Sequence, residues 1–547
     1  MTRRCWYVMA CHSIATALGC SFIVANYDLN ASHGARQLAK SNWYSQHRGP
    51  DATNWVNRFG WTFGHNLLSM TGVFTLQPFF GPSTVALFNG EIYNFQELSQ
   101  ELTGDANTFA SDGQVLLPAY ARWGNTFVRR LKGEFAIVLV DYQQQSVLLS
   151  TDVFSTKPLW YSTQPATSRD VVQQTGLAQR FIASTYESVL IGLGVPRRRR
   201  HLADANEALV IPFSTFQSSE PDSQLLLKTV QRFPLRVFDL TQYKTTTKDW
   251  QHAFLRAVHV RTARLKHKVF IGLSSGYDSG ALALALRCIG KPHLAYSMEG
   301  KEDIDVLRKR GNELGNGSWH IIRPSKSDFS EHTEWLREHI ETFHHVHYSA
   351  TNVSRYRSQW STIVNDRAAI GLSMIIHSAR QEAGLVYLSG AGADEIISDY
   401  SIGPGGCVMS GCCNFDGRFP ANLSDIYPHR WANFYGGLQR ANLMREELTA
   451  GARGVEGRYP FLDPDVVQEY LWLSQSLKNS EYKRPIADFM REQSYPNRYK
   501  WKSGFVAYAD TEHWKQLNSK SRLAERRSRD RYLQGATRSR DQRSTAL

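Results

Sequence analysis

Two stretches of the chain share one design, in which an apolar run leads into a Gly- and Ser-rich turn and a helical pattern follows at once. They are "KVFIGLSSGYDSGALALALRCIG" (268–290) and "VYLSGAGADEIISDY" (386–400). A further strand-like run, "HLAYSM", leads into the helical pattern "DIDVLRKRGNEL". Strands that alternate with helices at this spacing lie parallel in one sheet, with the helices on its faces. The sequence therefore predicts an α/β layer between about 250 and 510.

Each of the two turns carries a carboxylate at the start of its helix, Asp278 in the first and Asp394 in the second. Small residues let the backbone approach a phosphate closely, and the unpaired N–H groups of a helix start favour an anion. Carboxylate oxygens suit Mg²⁺, and ligands of open α/β sheets bind at the carboxyl ends of the strands. One such turn is also an ordinary tight connection, but two of them predict a shared metal–phosphate site.

The residues before this layer have a different pattern. From 20 to about 190, short apolar runs such as "SFIVANY", "TVALFNGEIY" and "FAIVLVDY" alternate with Gly, Pro and Asn turns. These runs predict strands, and "FQELSQEL" and "DGQVLLPAYARW" predict helices. Residues 191–250, with four consecutive arginines, are interpreted as a connecting segment. A chain of 547 residues is expected to form two or three domains, here an α+β domain followed by the α/β layer.

The formal net charge of +13 is concentrated at the C-terminus. From Lys515 onward there are ten Lys or Arg against three acidic residues, a net charge of +7, in a segment that is rich in Ser and poor in aromatic residues. Residues 511–547 are therefore predicted to be a disordered basic tail without a nucleic-acid partner, and an RNA-binding or targeting role is the alternative.

The first residues permit a targeting role. Residues 5–25 contain no charged side chain and follow Arg3 and Arg4, which suits a signal peptide or an anchor. The seven cysteines are an odd number without the spacing of a disulfide framework, which indicates a reducing compartment. We therefore expect a cytoplasmic protein that is not membrane-bound, with targeting by residues 1–19 as the alternative.

Motifs in chain order resemble the glutamine-hydrolysing asparagine synthetases. "LSSGYDSG" resembles their pyrophosphate loop "LSGGLDSS", and "LSGAGADE" resembles "LSGEGADE". "GVEGRYPFLDPDVV" (454–467), "YKRPIADFM" and "KSGF" are similar to later motifs of that family. "HRGPD" (47–51), "QPFF", "LFNGEIYNFQEL", "SDGQ" and "DVFSTKPLWY" are similar to the amidotransferase domain that precedes such synthetases. The likeness runs from Cys20 to about Phe505.

This resemblance implies a fold and a domain order. The fold is an α+β N-terminal-nucleophile amidotransferase sandwich followed by an α/β parallel-sheet domain of the ATP-pyrophosphatase type. The expected domains are a leader or extension (1–19), a type 2 glutamine amidotransferase domain (20–190), the connection (191–250), an asparagine synthetase domain (251–510) and the tail (511–547). A homodimer is one assembly that the resemblance allows.

The resemblance also implies a reaction. The first domain hydrolyses glutamine, and ammonia passes to the second, where aspartate reacts with ATP and Mg²⁺ to an acyl-adenylate and is then aminated. The Cys20 thiol attacks the glutamine amide with the chain's own α-amine as base. Asn89 and Gly90 stabilise the oxyanion and bind glutamine. Glu91 and Asp112 bind its amino end. Arg48 lies 28 residues after Cys20, the spacing the family shows, which Cys5 and Cys11 do not match.

In the second domain the resemblance assigns Asp278 and Asp394 to Mg²⁺ and pyrophosphate, and Lys483 to the phosphates or the acyl-adenylate. Glu447 falls where the family has an active-site acid. The resemblance also predicts the residues that contact ATP, which are Leu273, Ser274, Gly276, Asp278, Ser279, Met298, Ser389 and Gly390.

Two departures from the family concern glutamine hydrolysis. Nineteen residues precede Cys20, so its α-amine is in a peptide bond unless the chain is cleaved after Gly19. Leu67 replaces the arginine of the family's "HERLS", which pairs with the glutamine carboxylate. Since a charge-assisted hydrogen bond contributes about 1.5–3 kcal/mol, glutamine affinity is expected to fall roughly 10- to 100-fold.

Two further departures concern the synthetase motifs. Ala391 replaces an acid often assigned to deprotonating ammonia, a role expected to contribute about 10²–10⁴-fold, so either another group such as Glu447 takes this role or the amination is altered. Ser275 replaces a glycine, which a negative φ would permit. The insertion 403–420 contains Cys407, Cys412 and Cys413. The alternatives are a ligase that amidates or cyclises a different carboxylate and an inactive member with a binding or regulatory role.

Overall fold

The computed structural model describes residues 20–497, except for 71, 166–177, 218–228, 301, 315–317, 342, 348–356, 362–365, 404–405, 408–414 and 416–417. In residues 343–347, 357–361, 401–403 and 406–407 it describes the backbone alone. The proposed leader, the basic tail and most of the cysteine-containing insertion lie outside the described residues. Within the described part, no helix is long and apolar enough to cross a membrane.

The strands are numbered in chain order. They are β1 Ser21–Ala25, β2 Ala52–Arg58, β3 Trp61–Leu67, β4 Phe79–Phe80, β5 Thr84–Ile92, β6 Gly133–Asp141, β7 Ser146–Thr151, β8 Trp160–Pro165, β9 Gln179–Ser184, β10 His201–Leu202, β11 Glu207–Pro212, β12 Gln231–Pro234, β13 Lys268–Gly272, β14 His293–Met298, β15 Trp319–Ile322, β16 Phe343–His347, β17 Arg357–Ser361, β18 Gly384–Leu388, β19 Ser401–Gly403, β20 Gly406–Cys407 and β21 Glu456–Arg458.

The α-helices are numbered in the same way. They are α1 Leu29–Ser41, α2 Trp43–Gln46, α3 Phe95–Thr103, α4 Leu116–Trp123, α5 Glu187–Gly192, α6 Ser214–Gln217, α7 Lys248–Thr262, α8 Tyr277–Cys288, α9 Ile304–Asn312, α10 Lys326–His339, α11 Arg367–Gln381, α12 Ala393–Ile397, α13 Gly437–Ala452, α14 Pro464–Trp472, α15 Gln475–Ser480 and α16 Arg484–Glu492.

Two antiparallel six-stranded sheets form the N-terminal half, residues 20–234. Their strand orders are β10-β8-β9-β1-β3-β2 and β12-β11-β7-β6-β5-β4. Alternate residues of each strand face the space between the sheets, as Phe22 and Val24 of β1 do against Val138 and Val140 of β6. The outer face of the second sheet packs against α3 and α4. The strands and helices predicted for this region are confirmed.

A five-stranded parallel sheet, in the order β15-β14-β13-β18-β21, forms the centre of the C-terminal half. The predicted α/β layer is therefore confirmed. Because β14 and β18 lie on opposite sides of β13, the chain order reverses beside β13, the place where ligands bind in open α/β sheets. The two motif turns follow β13 and β18, which are direct neighbours.

The segment interpreted as a connection, 191–250, is more structured than the sequence predicted. Within it, β10, β11 and β12 extend the two antiparallel sheets. Later in the same segment, Lys244 pairs with Leu473 of the C-terminal half. The strands β10 and β12 are short and lie at sheet edges, and β12 is half-exposed or exposed, whereas β11 is buried between β12 and β7.

One hydrophobic core crosses from the first half to the second. Cys20, Ile23 and Ala25 belong to the same buried cluster as the parallel sheet and its helices. The two halves therefore meet over the outer face of the first sheet, next to the N-terminal end of β1.

Candidate active sites

The Cys20 thiol lies at the start of β1 and is enclosed by protein. Its Sγ is 3.2 Å from the backbone nitrogen of Leu68 and 3.4 Å from the carbonyl oxygen of the same residue. Burial raises the pKa of this thiol far above its ordinary value. Since the thiolate is the nucleophile, the thiol in this structure is not activated.

Asn89 and Gly90 lie in β5, which pairs with β6. The Asn89 side-chain Nδ2 is buried and finds no hydrogen-bond partner among the described residues. Gly90 has φ +127°, and a Cβ there would lie 1.8 Å from the carbonyl oxygen of Glu134, so only glycine fits. A buried amide donor without an acceptor suits an oxyanion that arrives with substrate.

Arg48 connects the cysteine to the second half of the molecule. Its Nε donates to the carbonyl oxygen of Cys20 at 2.9 Å and to Asn89 Oδ1 at 3.4 Å. The other end of the guanidinium donates to the Glu447 carbonyl oxygen at 3.0 Å and to the Glu447 carboxylate. The buried Arg48 side chain thus contacts both the backbone of Cys20, the predicted nucleophile, and helix α13.

The two acids expected to bind the glutamine amino end lie beside charged groups of the C-terminal half. Glu91 Oε1 is 3.0 Å from a guanidinium nitrogen of Arg458. Asp112 accepts hydrogen bonds from the Ile92 and Gly113 backbones, and burial raises its pKa to about 6. Leu67 is 5% exposed and belongs to the shared core, so its side chain is packed rather than facing an open pocket.

The second site joins the two motif turns through one lysine. Lys483 Nζ is 2.7 Å from Asp394 Oδ1 and also donates to Asp278 Oδ1. Gly390 lies against Asp278, because a Cβ at Gly390 would lie 2.9 Å from that residue's Cβ. The expected convergence of the two turns is therefore observed. Burial lowers the pKa of Lys483, but the two carboxylates outweigh it and hold this pKa well above its ordinary value.

Hydrogen bonds from serine side chains and from a buried arginine fix the backbone of the first turn. Ser274 Oγ is 2.7 Å from Ser279 Oγ and accepts from the Gly276 backbone at 3.1 Å. Arg310 donates to the carbonyl oxygens of Ser274 and Gly276 at 2.6 and 2.8 Å. A Cβ at Gly280 would lie 2.5 Å from this guanidinium, so the helical glycine makes room for the arginine.

A carboxylate already occupies part of this turn. The Ser275 backbone nitrogen donates to Glu302 Oε2 at 2.7 Å, and the Ser275 hydroxyl donates to the same oxygen. Ser275 does not have a positive φ, so the backbone at this position accepts a serine in place of the family's glycine. Glu302 is thus an internal anion at a backbone donor of the turn that was predicted to bind phosphate.

The remaining residues expected to contact the nucleotide lie at the strand ends around this turn. Leu273 donates its backbone N–H to the Tyr296 carbonyl at 2.8 Å, and Met298 ends β14. Ser389 is fully buried, and its Oγ accepts from the Ala391 backbone at 3.0 Å. All of them therefore lie around the carboxyl ends of β13, β14 and β18.

Glu447 lies between the two halves rather than in an open site. Its carboxylate pairs with Arg48, accepts from Lys157 Nζ at 2.7 Å and accepts from the Tyr459 hydroxyl at 2.8 Å. Burial raises its pKa, but Arg48 and Lys157 outweigh burial and leave the pKa below its ordinary value. The neighbouring Glu446 has no such cation from the N-terminal half, and burial raises its pKa to about 7.

Sequence reasoning missed Arg310, Glu302 and Glu446. The helical Gly280 was the one local signal for Arg310, because glycine in a first helical turn indicates close packing. Glu302 and Glu446 carry no sequence signal, since their partners lie far along the chain.

The acidic residues are compatible with Mg²⁺ held together with phosphates. In the part of the chain that the structure describes, no three His, Cys, Asp or Glu side chains come together as a metal cluster. Mg²⁺ commonly takes one or two carboxylates, with substrate phosphates and water as the other ligands. Asp278 and Asp394, facing each other across Lys483, fit that requirement.

Comparisons with known proteins agree with this geometry. Residues 20–187 match the model of a family described as a glutamine amidotransferase domain. An asparagine synthetase [glutamine-hydrolyzing] of Gallus gallus is 25% identical over 473 residues, which cover 82% of this chain and 76% of that protein. Asparagine synthetase [glutamine-hydrolyzing] 1 of Bacillus subtilis is 26% identical over 382 residues, covering 67% of this chain and 56% of that protein.

A solved structure, a glutamine phosphoribosylpyrophosphate amidotransferase from B. subtilis complexed with ADP and GMP, is 12% identical with a TM-score of 0.29. The match covers 89% of this chain and 99% of that one, and a score of this size carries no information on fold.

The N-terminal half thus contains a glutamine amidotransferase domain, and the C-terminal half places two acidic turns and a lysine at a switch point of a parallel sheet. Over most of its length the chain is similar to glutamine-hydrolysing asparagine synthetases at 25–26% identity, and residues 20–187 match the glutamine amidotransferase domain.

Proposed function

We propose that the protein is an ATP-dependent amide-forming ligase with a synthetase domain of the ATP-pyrophosphatase type, and that it converts aspartate to asparagine with nitrogen from glutamine or ammonia. The observation that carries this proposal is the convergence of Asp278, Asp394 and Lys483 beside β13 and β18. The curated relatives, which are named asparagine synthetases, support the same reaction.

In the proposed reaction an oxygen of the substrate carboxylate attacks the α-phosphorus of ATP, and pyrophosphate leaves. Nitrogen then attacks the acyl carbon of the adenylate, and AMP leaves. Lys483 neutralises phosphate charge, and the turn at Ser274, Gly276 and Ser279 binds phosphate oxygens. When bound, Mg²⁺ held by Asp278 and Asp394 would neutralise the pyrophosphate.

The nitrogen comes from glutamine in the proposed amidotransferase half. The α-amine of Cys20 takes the thiol proton, the thiolate forms a bond to the amide carbon, and Asn89 Nδ2 together with the backbone near Gly90 stabilises the oxyanion. The carbon–nitrogen bond then breaks, ammonia leaves with the proton that the α-ammonium returns, and water hydrolyses the thioester to glutamate and the free thiol. The buried, high-pKa thiol supports the idea that this half needs a free α-amine at Cys20 as its base. Residues 20–190 and 251–510 are the proposed functional domains.

A second proposal is favoured by Ala391, which removes a family acid from the synthetase site. It is a ligase of the same type that amidates or cyclises a carboxylate other than aspartate. An inactive member that binds nucleotide and regulates a partner is the third reading, supported by the loss of both that acid and the arginine at Leu67.

Carboxylate-dependent exchange of labelled pyrophosphate into ATP, measured with aspartate and with a panel of other carboxylic acids, tests these readings. Exchange with aspartate and formation of asparagine from ammonium would support the first. Exchange with a different acid alone would support the second. Nucleotide binding without exchange would support the third, and absence of both would refute all of them.

A further inference from the structure

Helix α13 carries two adjacent glutamates with opposite environments. The Glu447 carboxylate is occupied by Arg48, Lys157 and Tyr459. The Glu446 carboxylate instead accepts a hydrogen bond from the Ser389 side chain in the second motif turn. Its other oxygen, Oε2, is buried and has no hydrogen-bond partner among the described residues.

Glu446 is linked to the position of the missing acid through a single hydroxyl. Ser389 Oγ accepts from the backbone N–H of Ala391 at 3.0 Å and hydrogen-bonds Glu446. Ala391 is where the motif "LSGAGADE" lacks the acid of the related "LSGEGADE". A carboxylate from α13 thus reaches the turn from which a carboxylate has been lost.

Glu447 cannot supply the same chemistry in this arrangement. A base must accept a proton, and the Glu447 oxygens already accept hydrogen bonds from two cations that keep its pKa low. Protonating it would also remove the carboxylate charge that pairs with the buried Arg48. The role of deprotonating ammonia, which was predicted for Glu447, therefore fits Glu446 better.

We propose that Glu446 is the general base of the amidation step. As the nitrogen of ammonia forms its bond to the acyl carbon, the C–O bond to AMP breaks, and one proton moves from nitrogen to the free oxygen of Glu446. Glu446 then returns the proton to solvent. This inference rests on the proposed function and names a residue for its second step.

The surroundings of Glu446 suit this task. Burial raises its pKa to about 7, close to the value at which a general base is most effective near neutral pH. Arg445 partly offsets burial, whereas Glu395 and Glu447 act in the same direction as burial. The groups that face it, from its own helix and from the elements packed against it, are Arg445, Glu447, Ser389, Glu395, Tyr387 and Tyr459.

The test separates adenylation from amidation in the full chain. In Glu446→Gln we expect pyrophosphate exchange to stay within about threefold of the wild type, whereas amide formation from ammonium falls about 10²–10⁴-fold. The matched control is Glu334→Gln, an exposed acid on α10, which should change neither rate. Glu446→Asp should retain part of the amidation rate.

Two further readouts distinguish a base from a structural residue. At a constant concentration of free ammonia, amidation by the wild type should rise with pH through about 7, and Glu446→Gln should lack this rise. Returning a carboxylate to the turn with Ala391→Glu should restore amidation in the Glu446→Gln background at least tenfold.

Several outcomes would overturn the inference. Unchanged amidation in Glu446→Gln would exclude the base, and a parallel loss of exchange and amidation in both Glu446→Gln and Glu446→Asp would indicate a structural role. If the wild type shows no exchange with any carboxylate, the proposed function itself fails and this inference with it. Normal exchange combined with unaffected amidation would refute the inference alone.

Discussion

The two candidate sites of this molecule differ in how their charged residues are used. Around Asp278, Asp394 and Lys483, the charges face one another within the C-terminal half. Around Cys20, the charged residues Arg48 and Glu91 are paired with Glu447 and Arg458 of the other half. The charges of the first arrangement are paired within one half, whereas those of the second are paired across the contact between the halves.

This difference explains why the departures from the family have unequal consequences. Ser275 is accommodated by a local change in partner, because Glu302 accepts from its backbone and hydroxyl. Leu67, by contrast, has become part of the core that joins the halves. An arginine at position 67 would place a charge in apolar surroundings, so we do not expect this single substitution to improve glutamine binding.

The largest expected effect concerns the α-amine of Cys20. A chain that begins at Cys20, prepared with a site-specific protease, should hydrolyse glutamine at least about 10³-fold faster than the chain that retains residues 1–19. The reason is that a free amine supplies the base that a buried, high-pKa thiol lacks. Glutamate release measures it, with the Cys20→Ala chain as control. Equal rates for both chains would contradict the prediction.

The second largest effect is expected from a substitution that removes Lys483, which links the two turns. Lys483→Met should lower pyrophosphate exchange about 10²–10³-fold, because Asp278 and Asp394 would then repel each other and the phosphates. Lys248→Met, which removes an exposed lysine paired with Glu492, is the matched control. Exchange at the wild-type rate in Lys483→Met would show that the lysine is structural only.

Glu447→Gln tests the contact between the halves. It should lower the free energy of unfolding by about 3–5 kcal/mol, because Arg48 would remain buried without this counter-charge and Lys157 would be left with the more distant Glu134, at 3.9 Å. The folded pKa of Glu447 lies below its ordinary value, so its contribution is present above the unfolded pKa and is lost as pH falls through the folded pKa. Denaturant unfolding at pH 7 and below pH 4 measures both effects.

The neighbouring Glu446→Gln provides the matched control for that measurement. It removes a carboxylate whose partner is a hydroxyl rather than a cation, and it should cost much less stability. A loss in Glu447→Gln no larger than in Glu446→Gln would show that the cations do not depend on Glu447.

The smallest effect concerns the internal anion at the first turn. Glu302→Gln should bind ATP about fivefold more tightly, since its carboxylate competes with phosphate for the Ser275 backbone, and partial exposure weakens this competition. Glu299→Gln, an exposed acid paired with Arg323, is the control. Titration calorimetry measures the affinity for ATP. ATP binding by Glu302→Gln that is no tighter than that of the wild type would contradict the prediction.

Most of the architecture could be predicted from local sequence. The apolar runs of β1, β5 and β6, which are bounded by turn residues, predict strands, and the strand–turn–helix order around Asp278 and Asp394 predicts the parallel layer. In the connecting segment, β10 and β12 were missed because they are short edge strands, and the buried β11 was missed as well.

The sequence by itself determined the fold class of each half, the two acidic turns, the cysteine with its nineteen preceding residues, and the loss of an acid at Ala391. Only the tertiary structure decided which charges meet: Arg48 with Glu447 across 399 positions of the chain, Ser275 with Glu302, and Ser389 with Glu446. No local pattern in the sequence predicts which of the adjacent Glu446 and Glu447 is paired with cations. The difference between a paired carboxylate and one with a free oxygen arises from the partners that folding brings to each, because burial and opposite charge act through space.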